Sequence, residues 1–205
     1  MPHPARLVFI GDSITDCGRD RSDARSYGDG YVSLIVDALA GRGTGEEVLN
    51  LGIAGDRAVD LERRWQTELI PAAPDVLTVY VGVNDMWRRF DRDDETTAEA
   101  FEATCRRLLD AARAARAPRL ILVEPFLVPV RDEQRAWLDD LDGKRAVVAK
   151  LAGEYGAAFV ALHQPMTDAA AEAAPADLAP DGVHPTPRGH RLIADAWLAA
   201  YDGGR

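Results

Sequence analysis

Arg6-Leu7-Val8-Phe9-Ile10-Gly11-Asp12-Ser13 is the stretch whose reading decides the fold. Leu7 to Ile10 are consecutive large apolar residues, without the polar alternation of a strand that has one face in water. Such a run reads as a strand buried on both faces, the pattern of a parallel sheet covered by helices. It stops at Gly11-Asp12, a turn signal, and a serine follows at once. Four further runs of the same kind can be marked, at Val48 to Ile53, Asp75 to Val83, Arg119 to Glu124 and Ala158 to Leu162. Each is aliphatic or β-branched and bounded by Gly, Pro or charged residues.

Segments of helical period lie between these runs, which makes the chain an α/β protein with an open parallel sheet. Tyr31, Leu34, Ile35, Ala38 and Leu39 form an i, i+3, i+4, i+7, i+8 stripe, with Gly41 placed to end the helix. Phe101, Cys105, Leu108, Leu109 and Ala112 mark a second helix, in which Cys105 reads as a small core residue. A third runs from about Asp132 to Tyr155, with a break expected at Gly143. Ala169 to Ala176 reads as a short helix. The last helix opens with Thr186 as N-cap and Pro187 at its first position, and turns Leu192, Ile193, Ala196, Trp197 and Ala200 inward.

With 205 residues and a 47% hydrophobic fraction, the chain fits a single domain spanning residues 1–205, and no linker or repeat divides it. A net charge of −10 repels polyanions and argues against nucleic acid or an anionic membrane as partner. No apolar stretch reaches the roughly 18 residues of a membrane span, and the N-terminal run is too short for a signal peptide. The two cysteines, Cys17 and Cys105, show no metal-ligand spacing and suit a reducing compartment. A cytoplasmic protein without metal or cofactor is expected.

In an open α/β sheet the ligand site lies beyond the carboxyl ends of the strands. That rule gathers Gly11-Asp12-Ser13, Gly52-Ile53-Ala54-Gly55, Gly82-Val83-Asn84-Asp85 and the loop Asp181-Gly182-Val183-His184-Pro185 at one crevice. Acyl transfer needs a nucleophile, a base, a group to orient the base, and donors for the oxyanion. Ser13 can be the nucleophile or an ordinary turn residue. Of the four histidines, His3 is terminal, His163 ends a strand and His190 falls inside the last helix, which leaves His184 as the base. Asp181, three residues earlier, can fix the tautomer of His184 or simply form a turn. Asn84 can donate to an oxyanion or end the strand in an Asx turn, and Gly55 can offer a backbone N–H.

These blocks, in this order, resemble the SGNH hydrolases, also called GDSL esterases and lipases, over nearly the whole chain. The resemblance implies a flavodoxin-like three-layer α/β/α sandwich with a central five-stranded parallel sheet. It implies a catalytic unit of Ser13, Asp181 and His184, and an oxyanion hole made by the N–H groups of Ser13 and Gly55 and the side chain of Asn84. No Gly-x-Ser-x-Gly elbow and no Rossmann or P-loop glycine pattern is present. Within the superfamily, Gly11 to Arg19, Gly28 to Val32, Arg64-Trp65 and Val83 to Arg88 are similar to small intracellular acetylxylan esterases. That likeness implies an acetyl ester of a xylo-oligosaccharide or other small molecule as substrate, with Asp12 and Trp87 as the candidates on the substrate side and Trp87 readable as a sugar-stacking face or as packing, and it implies homo-oligomeric assembly. The competing expectations are another acyl substrate, as for a thioesterase or lysophospholipase, and a non-catalytic flavodoxin-like binding module.

Overall fold

A computed structural model describes residues 4–204, so His3 lies outside the described residues. Five strands, β1 (Arg6–Gly11), β2 (Glu47–Gly52), β3 (Val76–Tyr80), β4 (Arg119–Val123) and β5 (Ala158–Val160), form one sheet in the order β2-β1-β3-β4-β5. Every neighbouring pair is parallel. The helices are α1 (Ser13–Asp16), α2 (Tyr31–Arg42), α3 (Ala58–Arg64), α4 (Ile70–Ala72), α5 (Val83–Arg92), α6 (Ala98–Ala115), α7 (Leu138–Tyr155), α8 (His163–Glu172) and α9 (Pro187–Gly203).

The reason Leu7 to Ile10 of β1 are all apolar is visible in their alternation. Leu7 and Phe9 point into a cluster with Tyr31, Ile35, Ile193 and Trp197 of α2 and α9. Val8 and Ile10 point the opposite way, into a cluster with Leu61 of α3, Leu108 of α6 and Leu151 of α7. Period-two side chains thus feed two cores from one strand, and the result is a three-layer α/β/α sandwich. Trp197 closes one core with its indole N–H donated to Thr78 Oγ1 at 2.9 Å.

Strand β1 has β2 on one side and β3 on the other, so the chain reverses its direction of winding between β1 and β3. The crevice at this switch point is where α/β sheets bind ligands. Ser13 leaves β1 and Asn84 follows β3, which puts the two at the same end of the sheet.

Several boundaries differ from the sequence expectation. Gly41 lies inside α2; the turn comes at Gly43, whose φ of +67° suits glycine and whose N–H caps Ala40 O at 3.1 Å. The third helix begins as a 3-10 turn over Asp132–Trp137 and continues as α7 straight through Gly143, with no break. A Cβ on Gly143 would come within 3.2 Å of Ala98 Cβ, so this glycine permits close packing on α6. The third strand stops at Tyr80 rather than Val83, because Gly82 adopts φ +130° and starts α5. Of the Ala169 to Ala176 helix, only residues up to Glu172 are α-helical, in α8, and a 3-10 turn follows at Pro175–Asp177.

Candidate active site

The turn after β1 is built for a close approach. A Cβ on Gly11 would sit 2.2 Å from Tyr80 O and 2.6 Å from Thr15 Oγ1, so only glycine lets β1 pass β3 there. Asp12 then caps α1, its Oδ1 accepting the Ile14 N–H at 3.0 Å. This leaves Ser13 as the first residue of a helix, with its N–H at the positive end and its hydroxyl outside the core.

The loop before α9 brings the base to that hydroxyl. Ser13 Oγ lies 2.9 Å from His184 Nε2, and His184 Nδ1 lies 2.6 Å from Asp181 Oδ2. An ionised carboxylate only accepts, so Nδ1 carries the proton, and Nε2 is left to accept from the serine hydroxyl. Asp181 Oδ1 is held by the N–H groups of Val183 and His184, at 2.9 and 2.8 Å. Burial pushes the Asp181 carboxyl up, but the hydrogen bonds from the His184 ring and these two amides outweigh it and hold it below the ordinary value. Asp181 therefore remains an anion wherever His184 needs it.

Gln134, which the sequence did not single out, anchors this loop. It is fully buried. Its Nε2 donates to Asp181 O at 2.6 Å, and its Oε1 accepts from Val130 and Arg131 N–H at 2.8 and 3.1 Å. Gly182 passes beside it with φ +90°, where a Cβ would meet Gln134 Nε2 and Val128 O at 2.9 Å. The contact spans 47 residues of chain, and nothing local marks a glutamine in a 3-10 turn for this task.

The other two segments follow β2 and β3, at the same end of the sheet as Ser13. Gly55 has φ +89° and open space where its Cβ would be. Among the described residues, the N–H groups of Ser13 and Gly55 have no hydrogen-bond acceptor. Asn84 sits in the first turn of α5, not in an Asx turn ending the strand, and is buried. Its Nδ2 donates one hydrogen to Asp56 O at 3.1 Å, leaving the second free, and its Oδ1 accepts from Arg88 at 3.3 Å. These bonds fix which end of the amide carries the donors.

Trp87, on the next part of α5, stands with its ring centroid 5.9 Å from that of His184 and 6.1 Å from that of Trp137. It is half-buried, part packing and part wall of the crevice. Asp12 does not fit the substrate-side expectation. It is 0% exposed, turned inward beside Asp85, and its Oδ2 is buried without a partner among the described residues. His190 and His163 are occupied elsewhere. His190 is buried between the Tyr31 N–H and Cys17 Sγ, and His163 starts α8 with its backbone N–H on Glu124. Cys105 is buried in the core as expected.

Asp12 and Asp85 form a buried acidic pair. Burial raises both carboxyls to about 7, and for Asp12 the nearby charges of Asp85 and Asp56 add to it. The unfolded chain releases these protons near the ordinary value of 3.8, so between about pH 4 and 7 the folded state holds more protons and loses stability as pH rises. Asp85→Asn keeps an acceptor for Ala58 N–H while removing one of the two charges. Its Tm relative to the parent protein should therefore climb between about pH 4 and 7 and level off above that. A difference that stays constant over that interval would show Asp85 to be ionised throughout.

Among the described residues, no group of three or more His, Cys, Asp and Glu side chains is placed to hold a metal ion. No described helix is long and apolar enough to cross a membrane.

This fold and this site define an α/β hydrolytic enzyme with a serine hydroxyl addressed by an imidazole. The chain matches the GDSL-like lipase/acylhydrolase family over residues 9–192, belongs to that family, and is a carboxylic ester hydrolase. It is 34% identical over 203 residues to an acetylxylan esterase of Geobacillus stearothermophilus, covering 94% of this chain and 92% of the relative. The crystal structure of an acetylxylan esterase from the same organism superposes with a TM-score of 0.88 at 33% identity, covering 96% of this chain and 93% of the other. An α/β hydrolase from the metagenome of Lake Arreo, Spain, superposes with a TM-score of 0.89 at 31% identity, over 97% and 95% of the two chains.

Proposed function

We propose that this protein is a serine acetylesterase that deacetylates xylo-oligosaccharides, with the described fold acting as one catalytic domain. The observation that carries the chemistry is the unbroken line from Asp181 through His184 to Ser13, with bonds of 2.6 and 2.9 Å. In the first step Ser13 Oγ attacks the acetyl carbon as its proton passes to His184 Nε2. The negative charge that develops on the carbonyl oxygen is met by the N–H groups of Ser13 and Gly55 and by the free hydrogen of Asn84 Nδ2. His184 then gives its proton to the departing sugar oxygen, and the acetyl group remains on Ser13. Water, deprotonated by His184, then attacks the acetyl carbon; the bond to Ser13 Oγ breaks as His184 returns the proton to that oxygen, and acetate leaves. Asp181 stabilises the imidazolium formed in each half.

The sugar leaving group is supported by the likeness to acetylxylan esterases and by Trp87, whose ring lies beside His184 at the crevice. Aromatic faces are common sites for sugar stacking, and an acetylated xylose fits a wall of this kind. The acidic surface favours an uncharged ester over nucleic acid. A cytoplasmic location is supported by two free thiols, Cys17 and Cys105.

A panel of acetylated xylo-oligosaccharides, acetylated monosaccharides and acyl-CoA esters tests the reading, with kcat/KM expected to be highest on the xylo-oligosaccharides. A preference for octanoyl over acetyl esters would overturn it. Trp87→Ala should cost roughly 1 to 2 kcal/mol in kcat/KM on acetylated xylo-oligosaccharides, and far less on a small aryl acetate with no ring to stack. Equal losses on both would make Trp87 a support of the loop.

A further inference from the structure

Building on the reading of Ser13, Gly55 and Asn84 as oxyanion donors, we propose that Arg64 is a positioning residue that sets the spacing between the nucleophile turn and the oxyanion loop. Its guanidinium lies beneath the site, with the side chain 10% exposed, and three of its nitrogens have separate partners. Nη2 donates to Gly11 O at 3.4 Å, at the end of the strand that delivers Ser13. Nε donates to the Asp56 carboxylate at 2.8 Å, and Nη1 to Glu68 at 2.9 Å.

The two ends of this bridge are the two halves of the oxyanion hole. Gly11 O also accepts the Ile53 N–H at 3.0 Å, so the nucleophile strand and the Gly52 to Asp56 loop already meet at that carbonyl. Asp56 is the residue after Gly55, and its own carbonyl receives Asn84 Nδ2. A shift of Asp56 would therefore move two donors, the Gly55 N–H and the Asn84 amide, relative to Ser13. A planar guanidinium with several fixed donors can hold a carbonyl and a carboxylate in one geometry; an ammonium cannot.

The local backbone is irregular at this position. Arg64 ends α3 with φ −107° and ψ 0°, and the next turn, Trp65–Leu69, widens into a π-helix before α4. Single wide turns of this kind recur at functional positions, because the extra residue re-aims the side chains around it. Here Trp65 and Leu69 stay in the core while Arg64 reaches the carboxyl end of the sheet.

Positioning predicts a defect in the transition state. Arg64→Lys and Arg64→Ala should lower kcat about 10- to 100-fold on an aryl acetate, with KM within about twofold of the parent. Inhibition by phenylboronic acid, which forms a tetrahedral adduct on a serine, should weaken in proportion to kcat/KM. Added guanidinium ion should partly restore the kcat of Arg64→Ala. If Arg64→Ala does not fold, Arg64→Lys and Asp56→Asn carry the same measurements. Parent-like kcat per folded molecule, a loss confined to KM, or failure of all three variants to fold would each overturn the proposal and make Arg64 a scaffold residue. Normal turnover in Asn84→Ala would instead overturn the oxyanion reading on which it rests.

Discussion

Ser13→Ala is expected to abolish turnover almost completely, with a loss on the order of 10⁶ in kcat, and His184→Ala to match it. Each variant removes one end of the same 2.9 Å hydrogen bond, so neither remaining group can perform the attack alone. Their effects should not add: the double variant should be little worse than either single one. Residual hydrolysis would come from substrate binding and from the oxyanion donors, which both variants keep. Steady-state kinetics on purified, folded protein decides the matter. Losses that multiply in the double variant would mean that Ser13 and His184 act in separate steps.

Asn84→Ala carries the next largest effect, a loss of about 10² to 10³ in kcat, the usual result of deleting one oxyanion donor. The amide is held by Asp56 O and Arg88, so its free hydrogen is already aimed before substrate arrives. Preorganised donors of this kind act on charge that appears only in the transition state, and KM should barely change. Circular dichroism and thermal melting check the alternative. A variant that unfolds, yet turns over normally per folded molecule, would make Asn84 a structural residue that holds the Asp56 loop.

Much of the site was legible in the sequence because its residues lie directly after strands or before a capped helix. Leu7 to Ile10 announce a strand buried on both faces, and the turn signal Gly11-Asp12 places Ser13 where the sheet ends. Thr186 accepts the Gly189 N–H at 3.3 Å and Pro187 occupies the first turn, so α9 starts where its signals say, with His184 just ahead of it. The parts that were not legible depend on distant partners. Arg64 reaches Gly11 across 53 residues, and Gln134 reaches Asp181 across 47. Asp12 is expected on the substrate side, but the same cap that leaves Ser13 outside the core turns Asp12 into it. The segment from Ala58 to Ala72 also went unassigned, although Ala58, Leu61, Trp65, Leu69 and Ala72 form a buried stripe of helical spacing. Its π turn disturbs the regular period in the middle of that stripe.

The central claim is that Ser13 is the nucleophile and that His184 makes it one. Stoichiometric reaction with an organophosphate, followed by peptide mass analysis, tests it directly. The expected result is one phosphoryl group per chain, located on Ser13, appearing in step with the loss of esterase activity and strongly slowed in His184→Ala. Complete inactivation with the label on another residue, or hydrolysis that persists after Ser13 is fully labelled, would contradict it.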